Sequence, residues 1–438
     1  MVRMTKEAWP KRSHTAAEAL RAPVGTTVEL LGWVSVSNVV GGLVFVRLRD
    51  GSGYIQLAAK KGSVPDSTWE EARGTSIESA VYAKGVLRDD PRAPGGKEVS
   101  LHDFRVISSS APWPITRSAI RSPTALYDMR HLAIRGPKTS AVLRIRSRVI
   151  DLTTQYFFRR GYILIQAPLL VKAAVEGGST LFPVKYFDQT AYLSQSAQLY
   201  EEAAICAFEK VFIMQPAFRA EKSKTSRHLT EFWMIEAEVA FIGLPELMRV
   251  EEELVREIAL GVKEGCKPEL QVLGKAVKVP ESPFPKITYD EALKIAHRKR
   301  ISIEWGDDLG TEAENVVSME FDAPVFVTGY PVKARSFYHV SDPARPEATM
   351  SADLLAPGYG ELATGGQRIH EYDVLYKKVQ DFGIDPASMT WYLDLRKYGL
   401  PPHSGFGMGV ERVMRWMLSL KHIRSTSIFP RTMNRLFP

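Results

Sequence analysis

The chain has 438 residues, 45% hydrophobic and 24% charged, with a formal net charge of +7. That length allows two or three domains with well-buried cores, and the composition is that of an ordinary globular protein. Cys206 and Cys266 are its only cysteines, which excludes a disulfide framework and a cysteine-based zinc site and makes a reducing cytosol (a cytoplasmic protein) the expected address.

The opening "MVRMTKEAWPKRSH" has no apolar core, so no secretory leader is expected, and no later run approaches membrane-spanning length. The basic balance suits a polyanionic partner such as nucleic acid, although a plain Lys- and Arg-rich surface gives the same count. Residues 1–108 read as five short strands, "TVELLGWVSVS", "GLVFVRLRD", "GYIQLAA", "SAVYAKGVLRDD" and "KEVSLHDFRVIS", separated by Gly, Asp and Pro. Five such strands suggest a small closed barrel. Period-two alternation places Phe45, Arg47 and Arg49 on one face. Such a face either stacks and holds bases, as oligonucleotide-binding barrels do, or is core Phe45 beside wet arginines.

A Ser- and Pro-rich linker, "SSSAPWPITRS", opens a hinge over 109–138. Helical periodicity then runs through 139–162, with Val142, Ile145, Val149, Ile150 and Leu152 crowded on one side. The strand "YILIQAPLL" follows, and Pro168 marks it as an edge or an end. "SQSAQLYEEAA" starts a helix on which Gln198 and Glu202 lie one turn apart, with Glu201 adjacent. These acids are either a solvated edge or a reader of something small and polar. A mixed stretch at about 270–330 reads as a small insertion within the segment 139–438.

Two stretches carry chemistry. Residues 211–241 read as two strands joined by the polar loop "KSKTSRHL". Arg219 and Glu221 share a face of the outgoing strand, and Phe232, Met234, Glu236 and Glu238 share one on the return. Charges so placed need partners or a ligand, either an internal Arg–Glu ladder or a bound molecule. For a ligand, Arg219 would hold a phosphate, Phe232 would stack on a purine, and Arg227 and His228 would touch outer phosphates. In "HSGFGMGVERVMRWML", Gly405, Gly407 and Gly409 alternate, which suits a tightly packed strand or a flat ligand against backbone. A helix begins near Val410 with Arg412 in its first turn, an adverse place for a cation unless it serves an anion. The sequence contains no P-loop.

In this order, these motifs resemble class II aminoacyl-tRNA synthetases, the aspartate–asparagine–lysine subgroup. The helix and strand ending at Pro168 match motif 1, "FRAEKSKTSRHLTEFWMIEAE" matches motif 2, and "GFGMGVERV" matches motif 3. The resemblance implies an α+β protein: a five-stranded OB barrel that binds the anticodon, then an antiparallel catalytic sheet flanked by helices. It also implies a homodimer through motif 1, ATP as substrate and Mg2+ as cofactor.

Within the subgroup the chain looks like the archaeal asparagine branch. Aspartate enzymes carry a lysine where this chain has Glu201, and the final Glu of the asparagine pattern is Glu202. L-asparagine and tRNA(Asn) are therefore the expected partners, with Glu202 reading the carboxamide and Glu201 doing no more than keeping lysine out. By the same resemblance, Arg368 holds the side-chain oxygen, Glu176 and Gln198 bind the α-ammonium group, and Glu236 contacts the substrate. Arg219 clamps the α-phosphate, Arg412 and His228 serve the γ end, and Phe232 and Arg412 sandwich adenine. Glu221, Arg227, Leu229 and Gly409 join the ATP site. Glu361 and Thr364 match the Mg2+ positions, with Asp353 as a second acid. Phe45 and Arg47 are the anticodon candidates, although "SVSNVVGG" stands where the subgroup often has an arginine-rich stretch. Lys333 sits where an acid is common. A relaxed aspartyl enzyme, an ATP-dependent asparagine-forming relative and a non-catalytic RNA-binding relative are the competing readings.

Overall fold

The computed structural model describes residues 10–172, 180–222 and 225–438. The chain divides into two compact units, Met1–Leu126 and Tyr127–Pro438.

In the first unit, β1 (Thr27–Val40), β2 (Leu43–Arg49), β3 (Tyr54–Lys60), β4 (Ala80–Asp89) and β5 (Lys97–Ser108) close a barrel in the order β1-β2-β3-β5-β4. Alternation on β2 sends Val44, Val46 and Leu48 into the core, where they meet Leu30, Leu57, Val81 and Phe104. Phe45 and Arg47 are therefore on the outer face: Phe45 is half-buried, Arg47 is exposed, and the Arg47 guanidinium lies 5.5 Å from the Tyr54 ring centre. Arg49 pairs with Glu78 at 2.7 Å and lies over Trp33. Barrel closure brings backbones too close for side chains at particular points. A Cβ on Gly85 would sit 2.2 Å from the Ser100 carbonyl oxygen.

The second unit begins within the stretch expected as a hinge. Arg130 is buried there and donates to the Ser427 and Ile428 carbonyls at 2.7 and 2.8 Å. Its strands in chain order are β6 (Ile163–Leu164), β7 (Leu170–Val171), β8 (Pro183–Tyr186), β9 (Gln189–Leu193), β10 (Lys210–Phe218), β11 (Glu231–Ala240), β12 (Lys286–Thr288), β13 (Val325–Thr328), β14 (Ser341–Asp342), β15 (Arg345–Thr349), β16 (Ser351–Ala356), β17 (Gly360–Arg368) and β18 (His403–Gly409). Eight of them form one sheet, ordered β12-β13-β16-β17-β18-β11-β10-β6, antiparallel except for the outermost pairs. The stretch expected as an insertion thus supplies β12 and β13, the sheet's own edge. The single strand expected before Pro168 is only Ile163–Leu164, and β7 belongs to a separate three-stranded sheet.

Helices Pro137–Arg159 and Leu244–Gly265 pack under one face of the large sheet, where Ile145, Val149, Leu254 and Ile258 meet Phe212, Ile235 and Phe406. Because side chains alternate along β11, burying Ile235, Ala237 and Val239 against these helices sends Met234, Glu236 and Glu238 to the opposite face. That face carries the candidate site.

Gly85→Val should destabilise the barrel by about 1–3 kcal/mol, because the clash is with backbone that cannot move aside without breaking the β4–β5 ladder. The check is hydrogen exchange on the full chain, with protection lost selectively among amides of Met1–Leu126.

Candidate active site

One cavity of about 750 Å³ lies on the open face of the large sheet. It is lined by Phe232, Met234, Glu236 and Glu238 from β11, Gly407 and Gly409 from β18, and Glu361, Thr364 and Arg368 from β17. β18 pairs with β11 so that Gly407 opposes Glu236 and Gly405 opposes Glu238. The alternating glycines therefore serve neighbouring side chains. A Cβ on Gly405 would fall 2.0 Å from the Glu238 carboxyl, so at this position the glycine pattern marks a tightly packed strand and not a face left to a flat ligand. Gly407 and Gly409 do border the cavity.

One end of the cavity is cationic. β10 stops at Phe218, so Arg219 and Glu221 leave the strand and do not share a strand face, yet both line the cavity with Arg227, His228 and Leu229. The Arg219 guanidinium lies 5.6 Å from the Phe232 ring centre. Arg412, in the first turn of helix Val410–Met417, pairs with Glu361 at 2.6 Å. Burial alone would raise the Glu361 carboxyl, but Arg412, Arg219, Arg227 and Arg335 together hold it at about 2. Burial and the nearby Arg412 push His228 below its usual range, and its Nδ1 lies 2.5 Å from the Thr225 hydroxyl. Arg227 forms a two-pronged pair with Glu314, so it is anchored rather than loose in the loop.

Thr364 donates its hydroxyl to Asp353 at 2.8 Å, and Arg335 pairs with Asp353 at 2.5 Å. Asp353 is buried behind Thr364 and does not line the cavity, so its expected role as a second metal acid is corrected. Its oxygens are engaged by neighbours, and burial pushes its carboxyl up to about 6 against the pull of Arg335. Among the described residues no group of three or more His, Cys, Asp or Glu could hold a metal unaided.

The other end is acidic, with Gln198, Glu201, Glu236, Glu238 and Arg368 around it. Glu236 is tied to the start of helix Gln198–Phe208 by the Ser196 hydroxyl and by the Ala197 N–H at 2.9 Å. Arg368 donates twice to Glu238 Oε1, at 3.1 and 2.8 Å, and once to His339 Nε2, at 3.1 Å. Burial and the Arg368 and Arg335 charges keep His339 well below its ordinary range, which suits an accepting Nε2. Glu238 Oε2 is buried without a hydrogen-bond partner among the described residues.

Glu202 is not where the sequence put it. It does not border the cavity; it points behind the helix, fully buried. Tyr392 donates to it at 2.8 Å, Arg396 at 2.5 Å and Gln198 at 3.0 Å, and His403 Nε2 stands 3.2 Å away. Burial would raise its carboxyl, but Arg396 and His403 hold it well below the usual carboxylate range. The acid that borders the cavity is Glu201. Helical geometry accounts for the exchange: adjacent residues point about 100° apart, so only one of the two faces the cavity. Glu176 lies outside the described residues.

Sequence reasoning missed Arg335 and His339 in "KARSFYHV", Tyr392 and Arg396 in "WYLDLRKYG", and His403. The one local signal was the i,i+4 spacing of Tyr392 and Arg396 on a helix. It identifies a shared face but not its partner 190 residues away. Glu202→Ala should destabilise the unit by about 3–5 kcal/mol, because it leaves the Arg396 charge buried and unpaired. Equilibrium urea unfolding of the variant beside wild type measures the loss.

Comparisons with known proteins match this arrangement. A family model for class II tRNA synthetases (D, K and N) covers residues 122–433, and one for an OB-fold nucleic acid binding domain covers residues 28–107. An asparagine–tRNA ligase of Pyrococcus abyssi is 46% identical over 419 residues, 94% of this chain and 96% of the relative. One from Thermoplasma acidophilum is 42% identical over 427 residues, 97% of this chain and 99% of the relative. The crystal structure of Pyrococcus horikoshii asparaginyl-tRNA synthetase complexed with asparaginyl-adenylate aligns with a TM-score of 0.91 at 45% identity, covering 95% of this chain and 97% of that one. The chain belongs to the class II tRNA synthetases of the aspartate, lysine and asparagine group.

Proposed function

We propose that this chain is an asparagine–tRNA ligase, which activates L-asparagine with ATP to asparaginyl-adenylate and transfers it to the 3′ end of tRNA(Asn). The observation that carries the reading is the amino-acid end of the cavity, together with identities of 42–46% to asparagine–tRNA ligases over nearly the whole chain. There the Arg368 guanidinium can donate to a carboxamide oxygen, while carboxylates of β11 accept from its NH2. An aspartate side chain would bring a further negative charge into this acidic, water-poor wall, so the same pocket disfavours it.

The reaction needs no enzyme nucleophile. The α-carboxylate of asparagine attacks the α-phosphorus of ATP in line, and pyrophosphate leaves. The 3′-hydroxyl of the terminal adenosine then attacks the mixed anhydride and expels AMP. Positioning and charge stabilisation supply the acceleration. Arg219 is assigned to the α-phosphate, where charge builds as the fifth oxygen approaches, and Arg412 and His228 to the γ end. Phe232 and Arg412 flank adenine, a role that their places at the cationic end support. Glu221, Leu229 and Gly409 complete the nucleotide wall, Gln198 takes the α-ammonium side, and Arg227 braces the loop through Glu314. Mg2+ would be held by Glu361, with the Thr364 hydroxyl beside it, and would neutralise phosphate charge. A single facing carboxylate fits an ion that takes its remaining oxygens from phosphates and water. On the barrel, Phe45 and Arg47 are the candidate anticodon contacts, since both lie on the outer face.

We also propose a homodimer through motif 1, the helix and strand ending at Pro168, where exposed Phe158, Ile163 and Leu164 are apolar side chains that a second copy would cover.

Two measurements test these readings. ATP–pyrophosphate exchange should proceed with asparagine and be at least about a hundredfold weaker with aspartate, and Arg368→Ala should lower the asparagine signal by a similar factor. Exchange with aspartate alone would overturn the assignment. Leu164→Glu should convert a dimer to a monomer in analytical ultracentrifugation.

A further inference from the structure

Glu201 is left without a role by the mechanism above, although it is the acid of its helix that borders the cavity. Its side chain is completely buried, and neither carboxyl oxygen has a hydrogen-bond partner among the described residues. The charged groups acting on it are Glu236 and Glu238 from β11, Arg368 from β17 and Glu202 from its own helix. Three of these four are acids, and the one cation is already committed twice to Glu238. A buried carboxylate in such company is strongly disfavoured, whereas a carboxylic acid is not. The acid form carries one donor and one acceptor, the same pair that a carboxamide presents in reverse. A carboxylate ligand presents acceptors alone.

We propose that Glu201 is a specificity-determining residue of the amino-acid pocket, presenting an un-ionised carboxyl that pairs with the side-chain carboxamide of asparagine. The inference rests on the asparagine-activating reading and adds the residue that recognises both atoms of the amide. Burial and the Glu236 and Glu238 charges raise the carboxyl well above its ordinary range, which favours the acid form that the buried, acid-lined setting also demands. The sign follows: the pairing is present below that titration and is lost as pH rises through it.

The test is asparagine-dependent ATP–pyrophosphate exchange by the full chain as wild type, Glu201→Leu and Glu201→Gln. Glu201→Leu, which fits a buried apolar space but has no polar atoms, should raise KM for asparagine by about 10–100-fold with little change in kcat. Glu201→Gln, which keeps one donor and one acceptor, should recover most of that loss. Wild-type KM should climb toward alkaline pH, while that of Glu201→Gln stays level. A leucine variant with wild-type KM, or a glutamine variant as weak as leucine, would overturn the proposal. If the asparagine-activating reading itself were wrong, wild type would show no asparagine-dependent exchange, a separate and visible outcome.

Discussion

The amino-acid end of the cavity depends on one buried contact, the carboxylate of Glu202 enclosed by Tyr392, Arg396, Gln198 and His403. It anchors helix Gln198–Phe208 to helix Thr390–Lys397 and to the start of β18. An ion pair this deep contributes modest net stability, because desolvation consumes most of the attraction, but it tolerates only one geometry. With Glu202 held in that shell, the helix cannot rotate, and Glu201 is obliged to face the cavity.

Charge is apportioned along the cavity by the same logic. At the nucleotide end, arginines surround Glu361 and keep it ionised, which suits a site for polyphosphate and a divalent cation. At the other end the balance reverses, and Glu201, Glu236 and Glu238 lie around Arg368. Under the proposed function, a substrate with an α-ammonium and a neutral amide would meet the second end and its carboxylate would reach toward the first, so that the gradient would orient the two reactants before any bond is made.

The glycines of β18 make this crowding possible. At Gly405 the missing side chain is replaced by the carboxyl of Glu238, which can then lie flat on the sheet and take two hydrogen bonds from Arg368. The strand acts as a recess for the side chains of Glu238 at Gly405 and Met234 at Gly407, and Gly407 and Gly409 also form cavity wall.

Much of this was legible without coordinates. Period-two patterns gave the barrel strands, and the shared face of Phe232, Met234, Glu236 and Glu238 follows from strand alternation alone. Motif order was enough to indicate the family and to single out Arg219, Glu361 and Arg412, which the fold brings to one cavity, because a motif is a local string. What the string could not carry was which of two adjacent acids turns inward. That depends on Tyr392, Arg396 and His403, roughly two hundred residues downstream, closing around one of them. Nor could it place Asp353 behind Thr364 rather than in the cavity, since Arg335 arrives there from a separate loop. Sequence by itself determined the barrel strands, the family and the face shared by Phe232, Met234, Glu236 and Glu238, all of which follow from short-range periodicity and local motifs. Only the tertiary structure decided which carboxylates are satisfied and which remain open to a ligand, because burial and ion pairing are settled by contacts between segments far apart in the chain.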